Sequence, residues 1–313
     1  MLMMHRRNFL TLSAGATLAA ALPRVPVTET VRRKSGPFRF CLNMSTISGQ
    51  QPGLLHGIDI AAAAGYDGVE LWIKDIHDWL AGGNTIAALH SHLQEKNITV
   101  ENAISFTAWL SDDEAARKTA LVTLEEEMLL MAAIGCHRIA APPFGLPAGQ
   151  VLDIEKAGER YRQTLGLGRK HGVMPLLEFW GPSPVIHNFS QALAIAAAAN
   201  DSDARILPDV YHLFRGGSGF ESLSLVSGHV IDIIHMNDYP AGIPIAALTD
   251  ADRVYPGDGA APYRKILSAL KKMGGPKTLS LELFNKQYWS QDPLAVARTG
   301  LQKMQKLVTE VMA

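Results

Sequence analysis

Two rhythms of hydrophobic and polar positions alternate along this chain. Short, nearly continuous apolar runs predict strands at Phe38–Met44, Gly68–Trp72, Thr99–Ser105, Arg138–Ala141, Met174–Phe179, Ala204–Asp209, Val230–His235 and Thr278–Leu283. The segments between them read as helices. Leu54–Ala64 runs into Gly65, Ile154–His171 into Gly172, and Pro262–Lys272 stops short of Gly274, glycines placed to end a helix. Thr85–Lys96 is amphipathic, and Ser111-Asp112-Asp113-Glu114 opens a long helix to Gly135 with acidic residues that suit a helix N-terminus. Eight strand–helix alternations predict an α/β fold, a (β/α)8 TIM barrel spanning residues 37–313 as a single domain. An open doubly wound sheet is the alternative, but it would not gather the ends of the last four strands around one point.

Four strands break the apolar pattern at the same end. Glu178 closes MPLLEFW, Asp209 closes ARILPDVYH, His235 closes VIDIIHMND and Glu282 closes TLSLELF. A carboxylate inside an apolar strand is costly unless it is paired or bound to a cation. Each residue alone reads as a strand-end side chain facing water or an ion pair. Together, at the C-terminal ends where barrels of this kind carry their active sites, they predict one shared divalent metal ion. Carboxylate oxygens with one imidazole suit Mn²⁺, Mg²⁺, Co²⁺ or Zn²⁺.

Composition narrows the partners. The 313 residues are 47% hydrophobic, enough for one large core, and the net charge of −1 offers no electrostatic grip on nucleic acid. Cys41 and Cys136 lie in apolar contexts and read as separate buried thiols. Residues 1–36 have a different character. Arg6-Arg7 precede an apolar run through Ala21, with Ala19-Ala20-Ala21 before Pro23, then a polar stretch from Val25 to Gly36. This resembles a twin-arginine signal peptide followed by a linker, and it implies a periplasmic protein with no membrane attachment after cleavage. The apolar segment is too short to form a stable span.

Several motifs in order resemble the xylose isomerase-like barrel superfamily of sugar isomerases and epimerases, over the whole chain beyond the signal. Ala61–Leu71 (AAAAGYDGVEL) is similar to its helix-one to strand-two signature. Asp209-Val210-Tyr211-His212 is similar to the D-x-x-H segment, and His235-Met236-Asn237-Asp238 to the strand-seven metal histidine with its following acid. Asp252–Gly259 is similar to the next loop. Glu282-Leu283-Phe284-Asn285 with Tyr288-Trp289 and Asp292-Pro293 is similar to the last strand of the keto-inositol isomerase-like branch. The superfamily also contains endonuclease IV-type DNA repair enzymes with three zinc ions and extra histidine ligands. This chain departs from them: Glu70-Leu71-Trp72, Pro142-Pro143-Phe144 and Val254 stand where that pattern would bring more ligands.

The resemblance implies a metal-dependent isomerase or epimerase of an unphosphorylated ketose, keto-inositol or related sugar. Glu178 and Glu282, arriving from strands five and eight, would flank the substrate, serve as ligands and act as acid and base across an enediolate. Loss of hydroxide would instead make the protein an inosose dehydratase-like lyase. An endonuclease IV-like phosphodiesterase and a non-catalytic sugar-binding barrel are the remaining alternatives. His212 is expected to hold a substrate hydroxyl or to be a satisfied structural histidine. Arg253 is expected to hold a substrate oxygen or to pair with Asp250 or Asp252. Trp109, Phe144 and Trp180 follow strands three to five, so their faces suit a sugar ring or loop packing; Trp109 and Trp180 are taken as substrate-binding. Asp238 is expected to orient a metal ligand. Glu70 is expected to be structural, and Lys74 to face solvent. Trp289 is expected to pack the last loop, its own or a dimer partner's, which leaves a homo-oligomer open.

Overall fold

A computed structural model describes residues 37–147 and 149–313; the export signal expected at the N-terminus lies outside the described residues. The strands are β1 (Phe38–Asn43), β2 (Gly68–Trp72), β3 (Thr99–Ile104), β4 (Arg138–Ala141), β5 (Met174–Glu178), β6 (Ile206–Leu207), β7 (Ile233–Met236) and β8 (Lys277–Leu281). Helices α1 (Leu54–Ala64), α2 (Ile73–Ala81), α3 (Ile86–Glu95), α4 (Glu114–Ala133), α5 (Ile154–His171), α6 (Phe189–Ala198), α7 (Val210–Arg215), α8 (Tyr263–Met273), α9 (Lys286–Trp289) and α10 (Pro293–Met312) are interleaved with them.

Side-chain caps place many of the helix starts. Asp113 accepts from Ala116 N, Asp153 from Lys156 N and Asp292 from Ala295 N, while Asn188 and Gln191 form a reciprocal capping box. Gly172 ends α5 in the left-handed region at φ 70°, where any side chain would be strained.

All ladders are parallel. One sheet has the order β3-β2-β1-β8-β7 and the other β4-β5-β6. The ring closes between β6 and β7 where His235 N donates to Pro208 O at 2.9 Å and Asp209 bridges to His235. At the other seam β4 lies beside β3, and Arg138 Nη1 donates to Glu101 O across it. The two strands that carry this first seam are shorter than their apolar runs. Pro208 lacks the N–H that would extend β6, and the stretch before Ile233 turns, with Val230 N donating to Ser227 O. The fold is the TIM barrel that the strand–helix alternation predicts. Cys41 and Cys136 are buried free thiols. Among the described residues no helix is long and apolar enough to cross a membrane.

Candidate metal centre and substrate cavity

The period of two along a strand builds the site. Inside the barrel, Ile104, Ala140, Leu176, Leu207 and Ile233 pack together as a buried apolar plug. Two residues further along their strands, Leu176 becomes Glu178, Leu207 becomes Asp209 and Ile233 becomes His235. Ser280 becomes Glu282 on the same face of β8. The plug therefore supports the acidic layer from below and keeps water from reaching it that way.

His235 is wholly buried. Its Nδ1 lies 3.2 Å from Glu282 Oε2, 3.8 Å from Asp209 Oδ2 and 3.9 Å from Glu178 Oε1. That nitrogen makes no hydrogen bond among the described residues. Ligand atoms of Asp209, His235 and Glu282 all fall within 4.8 Å of one another, with Glu178 at the edge of this group. An orphaned imidazole nitrogen among three buried carboxylates fits a divalent cation, and its donor set of one nitrogen and several oxygens suits Zn²⁺, Mn²⁺, Co²⁺ or Mg²⁺.

The other lone pairs are engaged by the chain. Asp209 caps α7, accepting from His212 N at 2.7 Å, and its second oxygen accepts from Asn237 Nδ2 at 2.6 Å. Arg253 Nη1 donates to Asp209 Oδ2 at 3.0 Å and Glu282 Oε2 at 2.8 Å, while Nη2 reaches Asp250 Oδ1 at 2.5 Å. The guanidinium lies over the Tyr211 ring, 4.6 Å from its centroid. Asn43 Nδ2 donates to Glu282 Oε1 at 3.1 Å.

These contacts push the acids apart. Burial, then the charges of Glu282 and Asp209, raise Glu178 to about 8 against the pull of His235. Burial also works to raise Glu282, but His235 and Arg253 hold it well below the usual carboxylate range. Asp209 is raised by burial and by Glu282, with Arg253 opposing. Burial opposes charge on His235, yet Glu282 and Glu70 carry its basicity well above the ordinary value. Burial and the Arg253 charge push His212 down to about 3, so it is neutral.

A cavity of about 210 Å3 opens over this layer. Glu178, His212, Asp250, Arg253 and Glu282 form its polar side; Trp72, Ile104, Phe106, Trp180, Pro182 and Phe284 form its apolar side. A second cavity of about 270 Å3, beside Asp112, Lys156 and Arg160, contains none of these groups.

The structure thus brings Glu178, Asp209, His235, Glu282, His212, Arg253 and Trp180 to one place. It does not bring Trp109 there. That indole is wholly buried, donating to Pro142 O at 2.7 Å and packing on Tyr161, so no ring face is left for a sugar. Asp238 is also misplaced by the sequence reading. Its oxygens accept from the backbone N–H groups of Tyr239, Gly257, Gly259 and Ala261, so it clamps the loop after β7 rather than orienting a ligand. Its neighbour Asn237 does the orienting. Glu70, expected to be structural, is buried with both its oxygens against His235 Nε2, at 3.2 and 3.1 Å. Lys74 is exposed and pairs with Asp78. Trp289 packs against Gly49 and donates to Ser45 O within its own chain.

Trp72, Phe106 and Phe284 were legible in principle as cavity walls. Trp72 stands two residues after Glu70 and Phe284 two after Glu282, each on the face of the polar residue before it. Phe106 follows the C-terminal end of β3. Asn43, Asn102 and Ser280 gave no such signal, because small polar residues in strands are unremarkable until their partners are known.

The xylose isomerase-like TIM barrel family model matches residues 58–307, and the chain belongs to that family. Within it, an inosose isomerase of Bacillus velezensis is 26% identical over 276 residues, covering 87% of this chain and 98% of that protein. A crystal structure of the IolI protein with a bound zinc atom superimposes with a TM-score of 0.79 at 25% identity, covering 87% of this chain and 99% of that one. A 3-dehydroshikimate dehydratase of Pseudomonas aeruginosa is 23% identical, over 83% of this chain but 40% of its own length.

Proposed function

We propose that this protein is a sugar isomerase or epimerase that uses a divalent metal ion and acts on a neutral ketose, keto-inositol or related sugar. What carries this reading is the orphaned His235 Nδ1 set among Glu178, Asp209 and Glu282 on the floor of a cavity of sugar size. The coverage of the inosose isomerase, nearly end to end, supports the same class.

The metal, when bound, would polarise a ketone oxygen and acidify the neighbouring C–H. Glu178 and Glu282, arriving from β5 and β8 on the floor of the cavity, are the pair we assign to this proton: one removes it and the other returns it. Delivery to the same carbon inverts it; delivery to the adjacent carbon moves the carbonyl. Gly181 N donates to His212 Nδ1 at 3.1 Å, which leaves the imidazole proton on Nε2. That N–H faces Arg253 Nη2 at 3.1 Å, and Arg253 Nε has no partner among the described residues. The His212 Nε2–H, on the polar side of the cavity, is the donor we assign to a substrate oxygen.

Charge selects the substrate class. Among the described residues Arg253 is the only Lys or Arg lining the cavity, and Asp209, Glu282 and Asp250 already engage it. A phosphate or carboxylate would meet the acidic side with no cation of its own. This disfavours an acidic substrate such as that named for the Pseudomonas relative, and leaves dehydration of a neutral inosose as the second reading.

The test is incubation of Mn²⁺-, Co²⁺- or Zn²⁺-loaded protein in D2O with neutral ketoses and inososes, beside their phosphates. Deuterium uptake next to the carbonyl of a neutral sugar, lost with chelator, is expected. Turnover of phosphosugars alone would overturn the charge argument, and a double bond in the product would identify the lyase.

The same proposal includes export by the twin-arginine route to the periplasm, motivated by Arg6-Arg7 and the apolar run after them. A fusion of residues 1–36 to a reporter should reach the periplasm, and Arg6→Lys with Arg7→Lys should retain it in the cytoplasm. Unchanged export of the double variant would point to another route.

A further inference from the structure

We infer that Glu70 is a positioning residue that turns the lone pair of His235 toward the metal. The inference rests on the metal reading above and concerns a residue behind the site. Glu70 projects from β2 and is wholly buried, outside the set of residues that line the cavity, so it has no access to substrate. Its two oxygens lie 3.2 and 3.1 Å from His235 Nε2. The opposite nitrogen, Nδ1, faces Glu178, Asp209 and Glu282. To hold a metal the imidazole must be neutral, with one N–H and one lone pair. With an anion behind Nε2, the N–H belongs there and the lone pair belongs at Nδ1, the atom the metal needs.

Glu70 is itself locked in place. Asn102 Nδ2 donates to its Oε1 at 2.8 Å, Asn43 Nδ2 to its Oε2 at 3.2 Å, and Ser280 Oγ donates to the same Oε2. Three strands therefore fix one carboxylate, and its acceptor positions are used up by those donors and the imidazole. Asn43 extends the arrangement forward. The same amide that donates to Glu70 donates to Glu282 Oε1, leaving Glu282 Oε2 as the oxygen beside His235 Nδ1. Asn43 Oδ1 in turn accepts from Trp72 Nε1 on the cavity wall. One side chain thus ties the group behind the imidazole to a ligand in front of it.

Loss of such an outer partner typically weakens metal binding about 10- to 100-fold. The test titrates Co²⁺ against a fluorescent chelator in the full chain, comparing wild type, Glu70→Gln, Asn102→Ala and, as a control away from the site, Trp109→Phe. Glu70→Gln should weaken Co²⁺ by about 10- to 100-fold, Asn102→Ala by less, and the control not at all. ¹⁵N and ¹H NMR of the Zn²⁺-loaded wild type should show His235 Nε2–H far downfield, as a proton hydrogen-bonded to a carboxylate, and the Gln variant should move that signal upfield. A purely structural Glu70 would lower Tm while leaving Co²⁺ affinity and the imidazole signature intact, and that result would overturn the inference. If Glu70→Gln does not fold, Asn102→Ala carries the decision: unchanged affinity and an unchanged Nε2–H signal count against it. Failure of the wild type to bind Co²⁺ or Zn²⁺ would instead remove the metal reading itself.

Discussion

At the N-terminal end of the barrel, Arg39 grips Glu101 through Nη2 and Nε at 2.8 and 3.0 Å, and Arg138 reaches both Glu101 and Asp232 at 3.7 and 3.3 Å. At the C-terminal end, Glu70, Glu178, Asp209 and Glu282 surround His235, and among the described residues Arg253 is the one guanidinium that touches them. Both ends place charge over the same apolar plug. The lower network has an arginine for each acid, and those arginines are partly solvated, so it closes the barrel without a demand for anything else. The upper network has more acid than base and is buried. Its carboxylates are pushed apart in basicity instead of being uniformly satisfied. The contrast separates a scaffold, where charges are balanced in place, from a site whose imbalance asks for a cation and a substrate.

The largest effect expected belongs to the upper end. Glu178→Gln and Glu282→Gln should each lower turnover at least about a hundredfold in protein that still binds metal. If one group removes the proton and the other delivers it, one variant should still exchange the substrate α-proton with D2O while making no product. A pattern in which one variant loses both exchange and turnover, and the other retains both, would sink the two-carboxylate mechanism and leave the metal centre intact.

The lower end should answer in stability. Glu101→Gln removes the charge shared by Arg39 and Arg138 and should cost about 2–3 kcal/mol by thermal or denaturant unfolding, below the figure for a fully buried pair because the arginines are partly exposed. Metal affinity should not change. A loss of metal binding in this variant would break the division between the two ends.

Glu127 sharpens the comparison because it is an acid with neither arginine nor metal. It is buried on α4, accepts from Ser105 Oγ at 2.6 Å, and burial lifts it to about 7 from an ordinary 4.5. The folded state then binds more protons than the unfolded state between those values, so stability falls as pH rises from about 4.5 to about 7. Glu127→Gln should flatten that slope and stabilise the protein above pH 7 by on the order of 1–2 kcal/mol. An unchanged slope in metal-loaded protein would assign the pH response elsewhere. The smallest effect is reserved for Trp109→Phe. It leaves Pro142 O without its donor and should cost about 1 kcal/mol, with KM unchanged; a raised KM would restore a substrate role to this indole.

Much of this was legible one strand at a time. The apolar runs mark the barrel because a buried parallel strand is apolar nearly throughout. Glu178, Asp209, His235 and Glu282 stand out because each interrupts such a run. Trp109 and Asp238 misled for a common reason. Position after a strand says that a side chain belongs to the upper loops, but not which way the loop turns it. Trp109 turns into the space beside Tyr161, and Asp238 turns toward the amides of its own loop. The partner of Glu70 was not legible, since a single buried acid shows no partner in sequence when that partner, His235, is 165 positions away.

By itself, then, the sequence determined the barrel, the order of its strands and the four groups that break their apolar pattern, because each of these is a local contrast between oil-like and charged side chains. The tertiary structure alone decided the rest: that Arg253 is engaged by three carboxylates, and that Glu70 and Asn43 stand behind His235 and Glu282. Those facts depend on closure of the ring, which brings strands distant in sequence within hydrogen-bond reach, and on loop paths that no periodicity encodes.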